Sequence, residues 1–513
     1  MRLKIFSIFI FMLFFMGCAT NPVTGVHELR LVNEKKEISV GNEQYKPGQQ
    51  LQGGEYILDK NLSKYIDRVG KKLAAVSDRD LPYEFKILNN STPNAWALPG
   101  GKIAINRGLL TELHSESELA AVLSHEIVHA AARHGAKNME RGLFLQAAVI
   151  ATAIVTQEED YNVLAVGGAQ IASGLITQKY SRSAELEADL YGMRYMARAG
   201  YDPQGAVDLQ RTFLQLAKDK EPNWLSGLFA SHPPSYERLQ TNQQTAIELG
   251  VTGRTDNKIY KKNISYLIKT APAYDKYDKA RLSFKKNNID NAITLVDKAL
   301  KIEPDEALFH GLTGDIHFKK KKFHSAIKAY DKAIELNDKY FYFFEKRGLA
   351  YKQIGNQKKA KKDLYAGSYL LPTAISYNAL GQIALNQGDK QEAKRLFLTA
   401  SSSKTNVGEK ALTSYVTLDL PDNPKKYIQI HRKHGDDKKA RFMVINKSTL
   451  PVHNIFLKIH FSDSSGKKHK MSHKIKHILH PKEQVTVLIG PKSVPAAFQD
   501  SIKISLVSVE IME

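Results

Sequence analysis

Small residues return every 34 positions in the second half of the chain: Ala280, Gly314 and Gly348 form one series, and Ala292, Ala326 and Ala360 another. Ala299 with Ala333, and Pro304 with Pro372, keep the same phase, and a last copy marked by Gly381, Ala393 and Ala400 slips by one residue. A repeat of this length is one pair of helices that cannot bury its apolar face alone, so neighbouring copies must stack. Small side chains at fixed points let the paired helices approach. Residues 274–404 are therefore expected to form an α-solenoid of about three and a half repeats, whose concave surface suits protein partners. Linkers are expected at 256–273 and 405–438.

At 513 residues the chain is too long for one core, and roughly 100–200 residues per domain implies three or four domains. From Ala440 the hydrophobic period falls to two, with runs near 440–445, 454–461, 470–478, 484–489 and 501–511. That pattern predicts an antiparallel, sandwich-like β domain over 439–513. The net charge of +21 is uneven: residues 1–250 hold 26 Lys+Arg against 27 Asp+Glu, leaving 48 against 26 for the rest. A basic half of this kind attracts nucleic acid, an anionic membrane surface or acidic partners, or is simply a solvated lysine-rich surface. No nucleic-acid-reading motif accompanies it. Arg2 and Lys4, then an apolar run from Ile5 to Met16, read as a secretory signal over 1–17. The sole cysteine, Cys18, follows Gly17 as in the lipobox that it resembles in bacterial lipoproteins. An exported body anchored by lipidated Cys18 is expected, with no disulfide to support it.

His125-Glu126-Ile127-Val128-His129 carries the chemistry. Residues four apart on a helix lie about 40° apart around its axis, so both imidazoles project from one face toward one ion. Glu126 falls close enough to touch a water on that ion, the place of a general base. Ser115 and Glu118 form a capping box, and the helix is expected to run to about His134 and to end at Gly135, with one apolar face. Upstream, Pro99-Gly100-Gly101 marks a turn, and the strand at 102–106 is a candidate for pairing with an extended substrate. Another helix is expected near Leu62–Val76. Downstream, Leu143–Val155 and Val163–Ile176 are each too short to span a bilayer and are expected to be buried or membrane-leaning helices. A helical run from Ser181 to Gly192 places Glu185 and Asp189 on one face and Glu187 about 200° away from Glu185. A catalytic zinc takes three protein ligands and leaves one position for water; Glu185 would complete the set. Asp189, one turn on, would fix a ligand histidine by accepting a hydrogen bond from its ring N–H.

The paired motifs, preceded by the Pro-Gly-Gly strand, resemble the HtpX/BepA-like gluzincin metallopeptidases related to the CAAX prenyl endopeptidases, over about 20–245. The resemblance implies one Zn2+ held by His125, His129 and Glu185, with Glu126 as base and Asp189 behind the ligands. In BepA-like members a His-Pro loop lies over the zinc, and His232 and Arg238 match its histidine and arginine. His232 is then expected as a removable fourth ligand, and Arg238 as a catalytic group steadying the substrate or oxyanion. The whole chain reads as a multidomain, mainly α protein: a signal peptide at 1–17, a helical peptidase domain with a short strand element at 18–255, tetratricopeptide repeats at 274–404 and a β domain at 439–513. The function expected is cleavage of envelope proteins from the periplasmic side of a bacterial membrane, the outer one by the BepA resemblance, with no nucleic-acid partner. The rival is a non-catalytic envelope adaptor built on the repeats.

Overall fold

The structure is a computed structural model that describes residues 18–141, 174–177, 179–219, 231–433, 441–462, 465–488 and 502–512. The expected signal peptide, the side chain of Cys18 and almost all of the two apolar stretches after residue 142 lie outside the described residues. The protein is mainly helical and divides into two compact units, one ending at Pro372 and the other beginning at Thr373. Among the described residues no helix is long and apolar enough to cross a membrane.

In the first unit, β1 (Cys18–Thr20) pairs with β2 (His27–Leu29), and helices Glu34–Leu51 and Lys60–Ala74 come next. Asp59 starts the second helix by accepting the N–H groups of Asn61 and Leu62. Strands β3 (Glu84–Leu88), β4 (Ala95–Leu98) and β5 (Lys102–Asn106) make one sheet in the order β3-β5-β4. Gly100 and Gly101 take positive φ, at 78° and 83°, which closes the turn that lays β5 antiparallel to β4. The strand at 102–106 expected to pair with substrate is thus the middle strand, hydrogen-bonded on both sides; the edge strands are β3 and β4.

The motif helix spans Glu116–Ala131, and Ser115 Oγ accepts the Glu118 N–H at 3.0 Å while Glu118 takes the N–H of His114. Every residue of this helix is buried, where the sequence suggested a single apolar face. Helices Lys60–Ala74, Arg182–Arg198 and Gln204–Asp219 and strand β4 all pack on it. Small residues make the crowding feasible: a Cβ on Gly192 would stand 3.2 Å from Ser124 Oγ, and one on Gly205 only 2.3 Å from Ser117 Oγ. The helix also stops earlier than expected, at Ala131. Arg133, not Gly135, breaks it, with φ at 65°. A non-glycine residue tolerates that left-handed conformation only when its surroundings enforce it. Here Arg133 is buried and donates to Glu37 (2.6 Å), Glu28 (2.7 Å), Glu140 (2.9 Å) and the Val32 carbonyl (2.8 Å).

Three repeat hairpins belong to the first unit: Ser265–Lys285 with Ile289–Ile302, Ala307–Lys319 with Phe323–Leu336, and Phe341–Gln353 with Gln357–Leu370. The periodic small residues do what the period requires. Ala292, Ala326 and Ala360 are fully buried, and a Cβ on Gly314 would strike the Tyr330 ring at 2.4 Å. The span 256–273 is helical and packed, not a linker, because Tyr260, Ile264 and Leu267 are apolar enough to join the core, and Tyr260 donates to the Leu110 carbonyl at 2.6 Å. Polar contacts fix the solenoid to the peptidase body. Asn89 donates to both Glu306 oxygens (3.1 and 3.0 Å) and accepts from Arg107 (2.8 Å), whose guanidinium lies 3.3 Å from the Tyr274 ring centre. Gln50 both donates to the Lys339 carbonyl and accepts the Phe341 N–H, each at 2.8 Å.

The second unit opens with the hairpin Ala374–Asn386 and Lys390–Ser401. Helix Asn406–Asp419 and strand β6 (Ile428–Lys433) then occupy the span expected as a linker at 405–438. Asp419 explains the order there, accepting from Tyr427 (2.6 Å), Asn423 (2.8 Å), Tyr415 (3.2 Å) and Lys426 (3.2 Å). Strands β7 (Arg441–Asn446), β8 (Val452–Ser462), β9 (Lys468–Ile475), β10 (Gln484–Leu488) and β11 (Lys503–Ile511) complete two antiparallel sheets, β10-β7-β6 and β11-β8-β9.

Candidate metal centre

The motif helix presents His125 and His129 one turn apart, and helix Arg182–Arg198 presents Glu185 and Asp189 across from them. His232 comes from the segment leading into helix Tyr236–Leu249. The side chains of His125, His129, Glu185 and His232 are all buried, and one donor atom from each lies within 4.8 Å of the others. His129 Nε2 is 3.0 Å from His125 Nε2 and 3.4 Å from Glu185 Oε1; His125 Nε2 is 3.6 Å from Glu185 Oε2. His232 Nδ1 is 3.0 Å from Glu185 Oε1 and 3.3 Å from His125 Nε2.

The contacts behind these rings test whether a cation fits. His125 Nδ1 lies 2.9 Å from Asp189 Oδ1, and an ionised carboxylate only accepts, so the ring proton sits on Nδ1. On the other ligand, His129 Nδ1 lies 2.8 Å from His134 Nδ1, and His134 Nε2 lies 3.0 Å from Glu187 Oε1. The same reasoning leaves a lone pair on Nε2 of both His125 and His129. Two lone pairs facing each other at 3.0 Å repel; a cation held between them, or a proton in its absence, resolves the contact. Nitrogen and carboxylate donors of this kind suit zinc.

Charge points the same way. Although burial opposes it, Asp189 and Glu185 favour positive charge at His125, so that without an ion the ring takes a second proton on Nε2, where a bound cation would stand in its place. Burial would also raise Glu185, yet His232, His125 and His129 hold it well below the usual carboxylate range. Asp189 is lowered against its burial by Arg238. Arg238 donates to Asp189 through Nε and one terminal nitrogen, both at 2.7 Å, and its other terminal nitrogen lies 2.9 Å from Glu185 Oε2 and 3.2 Å from the Pro233 carbonyl oxygen. Burial pushes Glu126 up. Its Oε1 is 3.6 Å from His232 Nε2 and its Oε2 is buried without a hydrogen-bond partner, so the carboxylate borders the centre with one oxygen unused.

The structure thus brings together His125, Glu126, His129, Glu185 and Asp189, picked out by sequence spacing, with His232 and Arg238, which the family resemblance implied. It adds three that spacing missed. Tyr180 stacks on the His129 ring, with centroids 3.9 Å apart and planes 23° from parallel. His134 and Glu187 back His129 as Asp189 backs His125. A helix continued through His134 would carry that ring about 140° around from His129, so only the turn at Arg133 returns it.

Residues 60–246 match the model for peptidase family M48. The metalloprotease YcaL of Escherichia coli is 31% identical over 196 residues, covering 37% of this chain and 73% of that protein. The chain belongs to the M48 family. The putative beta-barrel assembly-enhancing protease of Vibrio cholerae is 32% identical over 201 residues, covering 37% of this chain. This chain spans only 40% of that relative's length. The beta-barrel assembly-enhancing protease of Yersinia pestis is 27% identical over 390 residues, covering 68% of this chain and 78% of that protein. Repeat models match 276–306, 314–355 and 374–406, so tetratricopeptide repeats follow the M48 domain.

Proposed function

We propose that this M48 protein is a zinc-dependent endopeptidase of the bacterial envelope. The observation that carries the reading is the convergence of His125 Nε2, His129 Nε2 and Glu185, each aimed from behind, with the unpaired carboxylate oxygen of Glu126 alongside. A zinc ion held there would acidify a bound water and polarise a peptide carbonyl. Glu126 takes the proton of the attacking water and returns it to the departing amine; a carboxylate raised by burial is suited to both directions. Asp189 holds His125 in the Nδ1–H form. Arg238 spends its three nitrogens on Asp189, Glu185 and Pro233, so in this reading it positions the ligand carboxylates and does not meet the oxyanion. His232 sits with Nδ1 against the ligand donors, the place of a fourth ligand that must withdraw before substrate binds.

The names of the relatives support substrates among envelope proteins, such as incompletely assembled β-barrel chains. Lipidated Cys18 would keep the protein on the periplasmic side of the outer membrane, and the repeats would recruit protein partners. The test is cleavage of an unfolded protein by the zinc-loaded chain beside Glu126→Gln. Equal turnover by both would leave the adaptor reading in its place.

A further inference from the structure

We propose that His134 and Glu187 are positioning residues that fix the proton of His129 and so aim its Nε2 at the ion; the inference rests on the metal-site reading. Glu187 Oε1 is 3.0 Å from His134 Nε2. Because the carboxylate can only accept, the His134 proton lies on Nε2 and its Nδ1 carries a lone pair. His134 Nδ1 is 2.8 Å from His129 Nδ1, a hydrogen bond in which a neutral His134 accepts and His129 donates from Nδ1. The His129 Nε2 lone pair then faces His125 and Glu185. The ring plane is held as well, by the stacked Tyr180.

Helix geometry explains why an imidazole is interposed. Asp189 reaches His125 directly, whereas Glu187, two residues earlier, projects about 200° around the axis from it. One helix cannot set both carboxylates against the ligand pair, and His134 bridges the gap on the second side. The chain reaches that place through the left-handed turn at Arg133, held by Glu28, Glu37 and Glu140. Backbone strain and a buried ion network are thus both committed to the placement of one ring.

The experiment measures Zn2+ affinity of the full chain by competition with a chromophoric chelator, alongside thermal unfolding of the metal-free forms. Partners behind a ligand histidine typically change metal affinity about 10- to 100-fold, and His134→Ala should weaken binding by that factor. His134→Asn places Oδ1 near the position of the lost Nδ1 and accepts the same hydrogen bond, so it should recover most of the loss. A purely structural role would show no such rescue. Wild-type affinity in His134→Ala, or His134→Asn as weak as His134→Ala, would overturn the inference. If His134→Ala does not fold, Glu187→Ala decides: its side chain is 28% exposed, and it should weaken zinc while leaving the metal-free melting temperature near wild type. Unchanged zinc affinity in that variant overturns the inference too. Failure of the metal-site reading looks different, because wild type and His125→Ala would then bind zinc equally weakly.

Discussion

Replacing Asp189 by asparagine keeps the shape of the side chain and removes its charge, and the hydrogen bonds around it decide the outcome. Oδ1 faces both His125 Nδ1 and one Arg238 nitrogen, while Oδ2 faces Arg238 Nε. With the amide oxygen in the Oδ1 place, the NH2 group meets Arg238 Nε–H, donor against donor. Flipped, the NH2 group faces His125 Nδ1 and drives that ring's proton to Nε2, the atom needed for the ion. Neither orientation preserves the site. The expected loss of zinc affinity is about 10- to 100-fold, or roughly 1.4–2.7 kcal/mol. Arg238 keeps Glu185 and the Pro233 carbonyl, so it is not left as an unpaired buried charge, a fault that costs about 3–5 kcal/mol. Metal binding should therefore suffer more than folding. A chelator competition read beside metal-free thermal unfolding separates the two. A folded Asp189→Asn chain with wild-type zinc affinity would refute the reasoning.

Glu126→Gln should retain zinc and lose about 10²- to 10⁴-fold in turnover, checked by peptide cleavage and metal analysis. His232→Ala should raise basal proteolysis with zinc still bound; a loss as deep as that of Glu126→Gln would make His232 a transition-state donor instead of a latch. Asp419 provides an acid-sensitive element in the second unit. Burial opposes ionisation, but Tyr427, Asn423 and Lys426 hold its pKa at about 2. The folded value lies below the unfolded one of about 3.9, so its contribution to stability is complete above that pH and lost as pH falls toward 2. The stability gap between wild type and Asp419→Asn, followed by denaturant titration from pH 6 to 2.5, should accordingly narrow.

Much of this molecule is set by spacing. The 34-residue period places Ala292, Ala326 and Ala360 at helix crossings, and the i, i+4 pairs His125/His129 and Glu185/Asp189 face each other as regular helices require. What escaped the sequence depends on interruptions and on tertiary partners. His134 became legible only through the break at Arg133, which Glu28, Glu37 and Glu140 enforce from far away in the chain. The Pro-Gly-Gly turn was visible, but not that β3 would cover the other side of β5 and leave β4 at the edge. The helices within 256–273 read as linker because Tyr260 and Leu267 acquire an apolar setting only once the body is assembled.

The seam between Asn89, Arg107, Tyr274 and Glu306 bears on how this protein can be dissected. Arg107 and Asn89 are both buried, and their partners Tyr274 and Glu306 belong to the first two repeat hairpins. Cutting the chain after 273 would take away the aromatic ring under a buried guanidinium and the carboxylate on a buried amide, and would strip Gln50 of both its bonds. Unmet buried polar groups of this kind cost about 1–3 kcal/mol each, a large share of what holds a domain together. An inactive fragment from such a cut would then report a damaged enzyme as readily as a missing recruitment surface. Substitutions on the exposed side of the repeats, with the seam intact, are the way to tell one from the other.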